Sequence, residues 1–170
     1  MPRPDWDTYF MDIAHAAKLR GNCLRRQVAA LVVRDRRIVS TGYNGTPAGV
    51  RNCFEGGCPR CAGHSPSGKA LDDCRCAHAE ENAVAQAARY GVALAGATLY
   101  CTNTPCLLCA RLIISAGIRE VVYEQDYGDP RRVLAFLKEA GVRSRRFRRG
   151  PAPRRPCGPR RRRAAAAPAR

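Results

Sequence analysis

Residues 97–124 read ATLYCTNTPCLLCARLIISAGIREVVYE, and this stretch decides the fold class. The run over 97–102 predicts a strand, and 119–124 predicts a second one. Between them, 105–116 predicts a helix with proline at its first position and Gly117 as its stop. Two strands joined by a helix of this length imply a parallel crossover in a sheet that is covered on both faces. The stretch therefore predicts an α/β protein.

The alternation of helices and strands continues on both sides of this stretch. Upstream, the spacing of apolar residues predicts a helix, a β-hairpin and an alanine-rich helix, and downstream it predicts one helix and one strand. The predicted order is therefore α-β-β-α-β-α-β-α-β. These flanking elements cover 5–20, 28–33, 38–41, 77–90, 130–140 and 142–147.

The length of 170 residues suits one domain with a sizeable core. We predict that this domain covers 1–149 and contains a cysteine-rich insert at about 48–76. The insert has five cysteines and few large apolar residues. It cannot build a core of its own, so it is either disordered or held by metal. Residues 150–170 are rich in Arg, Pro and Ala, which predicts a disordered tail.

The formal net charge of +16 is concentrated near the C-terminus. Residues 143–170 contain 12 arginines and no acidic residue, so the rest of the chain is only mildly basic. A basic tail of this kind is suited to contact with nucleic acid. A solvated low-complexity end is the simpler interpretation, so the tail says little about what the domain does.

The sequence also indicates a compartment. No segment approaches the roughly 20 apolar residues of a membrane span, and residues 1–6 lack the apolar core of a signal peptide. We therefore expect a cytoplasmic protein with no membrane contact. Thiols stay reduced in that compartment, so the ten cysteines are expected to be metal ligands rather than partners in disulfides.

Two short motifs supply the side chains of a catalytic metal site. Cys106 and Cys109 are three residues apart at a predicted helix start, where both thiols share one side of the first turn and the helix dipole favours thiolates. His78, at the start of another helix, can supply a third zinc ligand and leave the fourth position open for water. Glu80 can enter the same pocket without binding metal and can carry protons. A lone C-x-x-C or H-x-E is weak evidence, but the two together are specific.

The combined H-x-E and P-C-x-x-C pattern resembles the zinc deaminases of the cytidine and deoxycytidylate deaminase superfamily. The resemblance covers about 5–147 and is strongest to deoxycytidylate deaminases and late-competence proteins. It implies a three-layer α/β/α fold with a mixed five-stranded sheet. It also implies a hydrolase with one catalytic zinc ion that converts deoxycytidylate (dCMP) to deoxyuridylate (dUMP) and ammonia. Many relatives are homo-oligomers regulated by deoxycytidine and thymidine triphosphates (dCTP and dTTP).

The resemblance further implies contacts with the substrate. The loop 42–45 resembles the family's substrate loop, in which Asn44 would bind the sugar 3′-hydroxyl; a turn cap is the alternative for this residue. Arg26 or Arg25 would hold the 5′-phosphate through paired hydrogen bonds, and the alternative is an ordinary surface arginine. Tyr127 would stack on the base or shape the pocket, with a place in the core as its alternative.

Six further cysteines suggest a second, structural zinc site closed by four protein ligands. Several deoxycytidylate deaminases carry such an ion, and comparison with them favours four of the six. The favoured ligands are Cys23, Cys53, Cys58 and Cys74. Cys61 and Cys76 are alternates, because six cysteines compete for four places. Outside this set, His64 is expected to be a solvated loop residue, Cys101 a core residue and Cys157 a free thiol.

Two other functions fit parts of the sequence. The first is a polynucleotide-editing deaminase acting on tRNA or single-stranded DNA, whose backbone the arginine-rich tail would hold. The second is a DNA-binding zinc module of DNA uptake in which catalysis is dispensable. The loop 42–45 and the cysteine-rich insert favour a mononucleotide substrate, and the intact motifs around His78 and Cys106 argue against an inactive scaffold.

Overall fold

The computed structural model describes residues 3–66 and 73–150. The helices are α1 (Trp6–Lys18), α2 (Pro59–Ala62), α3 (Ala79–Arg89), α4 (Leu107–Ser115) and α5 (Pro130–Glu139). The strands are β1 (Ala29–Arg34), β2 (Arg37–Tyr43), β3 (Thr98–Asn103), β4 (Glu120–Gln125) and β5 (Arg143–Arg146). A short 3-10 turn covers Cys53–Glu55. The long elements follow the order predicted from the sequence.

The strands form one mixed sheet in the order β2-β1-β3-β4-β5. β1 pairs antiparallel with both β2 and β3, whereas β3, β4 and β5 are parallel to one another. The parallel half results from the crossovers through α4 and α5, because a helix between two strands returns the chain to the same end of the sheet. The mixed five-stranded sheet implied by the resemblance is confirmed.

Apolar residues alternate along β1 and divide between the two faces of the sheet. Leu31 and Val33 face α1, where they pack with Phe10. Ala30 and Val32 face the other side, where they pack in one cluster with residues of α3, α4 and α5. Burying each large apolar side chain in these layers stabilises the fold by roughly 1.5–3 kcal/mol. Helices thus cover both faces, and the three-layer α/β/α architecture is confirmed.

Two helices that carry predicted zinc ligands begin two residues later than the sequence predicts. The helix predicted from 105 begins at Leu107, because Cys106 adopts an extended N-cap conformation (φ −81°, ψ 172°). The prediction that Pro105 occupies the first helical position is therefore wrong. The helix predicted from 77 begins at Ala79, and His78 is its N-cap. Two of the predicted zinc ligands thus stand at helix tips.

The cysteine-rich insert contains the 3-10 turn and α2, which the sequence pattern does not predict. Both are too short for a periodic apolar pattern to reveal them. The chain between them makes a tight turn at Gly57, where a Cβ atom would overlap the carbonyl oxygen of Arg51. The turn therefore requires glycine, and it lies between Cys53 and Cys58, which both belong to one buried cluster.

Several predictions concern residues outside the described ranges. The arginine-rich tail after 150, including Cys157, lies there, and so do 67–72 within the insert. The domain boundary, the disordered tail, its contact with nucleic acid and the cytoplasmic location stay predictions. In the part of the chain that the structure describes, no helix is both long and apolar enough to cross a membrane.

Candidate active site

The tips of α3 and α4 bring three metal-ligating side chains together. Nδ1 of His78 lies 3.3 Å from Sγ of Cys109 and 3.4 Å from Sγ of Cys106. All the ligand atoms of these three residues lie within 4.8 Å of one another. One imidazole and two thiolates are a donor set that zinc accepts, with its fourth position open for water. The structure thus assembles the three side chains predicted as catalytic zinc ligands.

A glycine in β2 lets α3 approach the sheet closely. A Cβ atom at Gly42 would overlap the carbonyl oxygen of Ala79 and would lie 2.5 Å from the backbone nitrogen of Ala83. Two residues earlier in the strand, the hydroxyl of Ser40 donates a 2.6 Å hydrogen bond to the carbonyl oxygen of Ala83. These contacts fix the first turns of α3 against the sheet, and they therefore also fix His78 at its tip.

The N-cap of α3 is held by a residue that the sequence reasoning did not assign to the site. The carboxylate of Glu81 accepts a hydrogen bond from the backbone N–H of His78, which is a capping-box contact. The signal was present in the sequence as a glutamate three residues after the N-cap. Glu81 orients the His78 backbone, whereas the neighbouring Glu80 faces the cavity described below.

Glu80 lies in the first turn of α3 and has only 4% of its surface exposed. Burial raises the pKa of its carboxyl group to about 7, against the opposing effects of a backbone hydrogen bond and of the nearby His78. A carboxyl group with a pKa near neutrality can both accept and release a proton at neutral pH. Glu80 is therefore suited to proton transfer beside the metal-ligating residues.

Hydrogen bonds among the three metal-ligating side chains shift their pKa values in different directions. A hydrogen bond with Cys109 lowers the pKa of Cys106 to about 4; burial opposes this shift and His78 reinforces it. The same hydrogen bond, together with burial, raises the pKa of Cys109 far above its usual range. The Cys106 thiolate in turn raises the pKa of His78 to about 9. Metal binding displaces such protons, so the donor set fits a divalent cation.

A cavity of about 280 Å³ opens beside these residues. Its wall includes Glu80 and the residues that the resemblance assigns to the substrate, namely Asn44, Tyr127 and both alternatives for the phosphate, Arg26 and Arg25. The guanidinium carbon of Arg26 lies 4.9 Å from the centre of the Tyr127 ring, within the range of a cation–π contact. Tyr127 is half-buried, so it shapes the cavity wall rather than belonging to the core.

The adjacent residues Arg25 and Arg26 have different partners. Arg25 donates hydrogen bonds to the carbonyl oxygens of Cys61 at 3.2 Å and Gly63 at 2.5 Å, and also to that of Ser65. Its guanidinium therefore ties the insert to the segment before β1. Both arginines line the cavity, but the Arg26 guanidinium lies over the Tyr127 ring and is not tied to the described part of the insert, so Arg26 is better placed than Arg25 to meet a phosphate group.

The side chain of Asn44 joins the loop after β2 to the segment before β1. Its Oδ1 accepts a 2.8 Å hydrogen bond from the backbone N–H of Val28, and its Nδ2 donates a 2.7 Å hydrogen bond to the carbonyl oxygen of Arg26. These are long-range bonds between two segments, not the local turn cap that the sequence left open as an alternative. The amide still has a second hydrogen and a second lone pair, so the contact with a sugar hydroxyl stays a prediction.

Asn103, at the end of β3, is a cavity residue that the sequence reasoning missed. Only 5% of its surface is exposed, and among the described residues its Nδ2 has no hydrogen-bond partner. Buried amide groups without a partner are rare in proteins. Because Asn103 lines the cavity, an acceptor atom of a bound ligand would satisfy this group. Its position before a C-x-x-C motif gave no signal of that kind.

Six cysteines converge beside the same cavity in two overlapping groups of four. Within each group, the sulfur atoms lie within 4.8 Å of one another. The groups are Cys23, Cys53, Cys61 and Cys76, and Cys58, Cys61, Cys74 and Cys76. The four ligands favoured from the sequence are divided two and two between these groups, so in the described part of the chain they do not form one site by themselves. The structure differs from the prediction because Cys61 and Cys76, which the sequence ranked as alternates, belong to both groups.

The remaining candidates lie away from both clusters. His64 is exposed and belongs to neither group, as expected of a solvated loop residue. Cys101 is fully buried in β3 and packs in the core beneath α3 and α4. The prediction that Cys101 is a core residue is therefore confirmed.

Comparison with known proteins agrees with this geometry. Residues 4–125 match the family described as the cytidine and deoxycytidylate deaminase zinc-binding region. The chain belongs to the cytidine and deoxycytidylate deaminase family. The match contains both motifs of the site, so the family resemblance found in the sequence is confirmed.

Several curated relatives of this chain carry the name deoxycytidylate deaminase. The one from Schizosaccharomyces pombe is 49% identical over 145 residues, which cover 85% of this chain and 45% of the relative. The one from Mycobacterium phage D29 is 46% identical over 131 residues, which cover 74% of this chain and 99% of the relative. This chain thus spans less than half the length of the yeast relative and nearly the whole of the phage protein.

Among solved structures, this chain is similar to the dCMP deaminase of cyanophage S-TIM5, which was crystallised in complex with dCMP and dUMP. The TM-score is 0.70 with 28% sequence identity, over 86% of this chain and 100% of the phage chain. Most of this chain therefore shares its fold with a known dCMP deaminase.

Proposed function

We propose that this chain catalyses the zinc-dependent hydrolytic deamination of dCMP to dUMP and ammonia in pyrimidine nucleotide metabolism. The observation that carries this proposal is the buried carboxyl group of Glu80 in a cavity that also contains His78 and Cys106. Two deoxycytidylate deaminases with identities of 49% and 46% support it. The cyanophage structure supports the choice of substrate, because it contains both dCMP and dUMP.

His78, Cys106 and Cys109 would hold the zinc ion. When bound, zinc lowers the pKa of a coordinated water molecule toward about 7 and acts as a Lewis acid. The thiolate of Cys106 and the buried sulfur of Cys109 suit this role, because Cys sulfur and His nitrogen are the donors that zinc prefers. The fold presents them from two rigid helix tips, which keeps the three donors in place.

Glu80 would carry the protons of the reaction. It would accept one from the attacking water and deliver it to the ring nitrogen beside the reacting carbon, and it would then help to protonate the departing amine. A bond forms between this carbon and the water oxygen, and the carbon–nitrogen bond to the amine breaks, so water and dCMP yield dUMP and ammonia. A carboxyl pKa of about 7 lets one side chain perform both transfers.

The remaining cavity residues would position the nucleotide. Arg26 would hold the 5′-phosphate, since a guanidinium group donates two parallel hydrogen bonds to phosphate oxygens. Tyr127 would stack on the base and Asn44 would contact the sugar 3′-hydroxyl. Nδ2 of Asn103, which has no hydrogen-bond partner among the described residues, would donate to an acceptor atom of the nucleotide. Regulation by dCTP and dTTP and assembly into a homo-oligomer remain predictions from the family resemblance.

A substrate panel tests this function directly. The zinc-loaded protein would be incubated with dCMP, CMP, deoxycytidine, cytidine and a cytosine-containing oligonucleotide, and the loss of cytosine absorbance would be followed. We expect dCMP to give the highest kcat/KM, with deoxycytidine much lower. Deamination of the oligonucleotide but not of dCMP would instead establish a polynucleotide-editing enzyme. Absence of turnover on every substrate would contradict the proposal.

A further inference from the structure

The six clustered cysteines hold more sulfur atoms than one metal ion can use. Four-coordinate zinc takes four thiolates, whereas the cluster comprises Cys23, Cys53, Cys58, Cys61, Cys74 and Cys76. If one ion occupied the first group, Cys58 and Cys74 would remain without metal. If it occupied the second group, Cys23 and Cys53 would remain. A single closed site therefore leaves two thiols of the cluster unexplained.

The spacing of the sulfur atoms is that of neighbouring ligands on a metal ion. A tetrahedral zinc ion with Zn–S bonds of about 2.3 Å separates its sulfur atoms by about 3.8 Å. The Sγ atoms of Cys23 and Cys61 are 3.8 Å apart, and those of Cys58 and Cys74 are also 3.8 Å apart. Cys61 and Cys74 are separated by 3.9 Å. A disulfide would require roughly 2.05 Å, so none of these pairs is bonded.

The way in which the two groups overlap accounts for all six sulfur atoms. Two four-coordinate ions that share two ligands need six cysteines, of which two act as bridges. The two residues common to both groups are Cys61 and Cys76. Each group then adds two cysteines of its own. This connectivity follows from the positions of the sulfur atoms rather than from the order of the cysteines in the chain.

We propose that the six cysteines bind a thiolate-bridged pair of zinc ions, separate from the ion at His78. Cys61 and Cys76 bridge the two ions. The terminal ligands are Cys23 and Cys53 on one ion, and Cys58 and Cys74 on the other. Zinc is the metal assigned, because soft thiolate ligands in a tetrahedral arrangement select it among the common divalent cations.

Backbone groups support one terminal sulfur atom in each half of the cluster. The N–H of Leu24 donates a 3.4 Å hydrogen bond to Sγ of Cys53, and the N–H of Arg75 donates a 3.3 Å hydrogen bond to Sγ of Cys58. Such bonds favour a sulfur atom that carries negative charge. Two divalent ions would offset most of the charge of six thiolates, which could not otherwise be buried together.

The proposed metal pair would also stabilise the segment that leads into α3 at the active site. Cys76 is two residues before His78, and the intervening Ala77 pairs in a β-bridge with Gly45 in the loop after β2. Cys61, Cys74 and Cys76 line the same cavity as Glu80. Because the insert has few large apolar residues, metal binding would supply the free energy that orders it and would hold the entry to α3.

The test is the number of zinc ions in the full-length holoprotein, determined by native mass spectrometry together with elemental analysis. We expect about three zinc ions per chain, with the mass also showing the loss of one proton for each cysteine of the cluster. A stoichiometry of two per chain in the wild-type protein would overturn the metal pair and leave one structural ion. Iron with inorganic sulfide in the cluster would equally overturn it.

Variants assign the ions to their sites. Cys106→Ser should remove only the ion at His78 and leave about two, so the count does not depend on whether the proposed deaminase activity exists. The double variant Cys58→Ser/Cys74→Ser should lose one ion of the pair, and Cys157→Ser is the matched control that should lose none. A double variant with the wild-type count would contradict the proposal. If that variant does not fold, the wild-type stoichiometry decides alone.

Discussion

Nδ1 of His78 and Sγ of Cys106 lie 3.4 Å apart, and each of these residues is the N-cap of the helix that it precedes. Both have an extended backbone, so their side chains meet beyond the first turns of α3 and α4 rather than along the helix surfaces. The positive ends of two helix dipoles therefore lie near the same point, which favours thiolates there. Both helices pack on one face of the sheet, so their N-termini, and the candidate metal ligands there, are held in fixed positions relative to each other.

The substitution Glu80→Gln removes the proposed proton carrier with little change in shape. We expect kcat on dCMP to fall by at least about 100-fold, because the amide cannot accept a proton from water. Zinc content and thermal stability should remain near those of the wild type. The measurement is an initial-rate absorbance assay with parallel metal analysis, and Glu139→Gln on the exposed side of α5 is the control. Turnover at the wild-type rate in Glu80→Gln would refute the proton-carrier role.

Alanine substitutions of the adjacent residues Arg26 and Arg25 should test phosphate binding and the stability of the insert separately. Arg26→Ala should lower kcat/KM for dCMP by roughly 10–100-fold, which corresponds to losing a charged hydrogen bond of about 1.5–3 kcal/mol. Its effect on deoxycytidine, which lacks the phosphate, should be much smaller. Arg25→Ala removes hydrogen bonds to Cys61 and Gly63, so we expect lower thermal stability. Turnover should fall by the same factor on dCMP and on deoxycytidine. Equal losses on dCMP and deoxycytidine in Arg26→Ala would exclude a phosphate contact.

Replacing Gly42 should disturb the active site through the backbone of α3. In Gly42→Ala, the added Cβ atom would overlap the carbonyl oxygen of Ala79, and we expect a loss of stability of about 1–3 kcal/mol. The shift of the helix should also reduce activity, because a misplacement of about 1 Å can cost 100-fold in rate. Thermal unfolding and kcat measure the two effects. Gly150→Ala, where a Cβ atom meets nothing within 4 Å, is the control and should change neither.

An ion pair between α1 and β5 predicts a pH dependence of stability. Arg145 donates hydrogen bonds of 2.6 Å and 2.8 Å to the two carboxylate oxygens of Asp7, and the hydroxyl of Tyr100 donates another of 2.8 Å. The Arg145 hydrogen bonds hold the pKa of Asp7 below its usual value, against the effect of its partial burial. Asp7 therefore stabilises the fold fully above its unfolded pKa of about 3.9, and this contribution disappears as the pH falls through the lower folded pKa.

The test compares the wild type with Asp7→Asn across that range. Because the Asp7–Arg145 ion pair is partly exposed, the wild type should exceed Asp7→Asn in unfolding free energy by only about 1 kcal/mol at pH 7. This gap between the two proteins should narrow below about pH 4. Acid also releases zinc from thiolates, but it does so in both proteins, so the difference between them isolates Asp7. Asp35→Asn, at an exposed turn, should show no such gap. A gap that is constant down to pH 3 would mean that the charge of Asp7 is not responsible.

Local patterns in the sequence were enough to predict the long elements and the group of candidate zinc ligands that the structure brings together. The alternation of apolar residues in β1 and the helical spacing in α1 are visible over a few residues, and both elements occur in the structure. His78, Glu80, Cys106 and Cys109 could be grouped because their motif spacing reflects the chemistry of one zinc ion. The start of α4 was misplaced by two residues, because Cys106 is an extended cap and proline does not identify which residue begins the helix.

By itself, the sequence determined the α/β class and predicted the grouping of His78, Cys106 and Cys109, since both are encoded in spacings of a few residues. The tertiary structure alone decided that Cys61 and Cys76 are central to the cysteine cluster. It also decided that the Asn103 amide nitrogen at the cavity has no partner among residues 3–66 and 73–150, and that Arg25 is hydrogen-bonded to the insert. Those properties depend on distances between segments that are far apart in the chain. Such distances are set by how the helices pack on the sheet, and no local pattern records them.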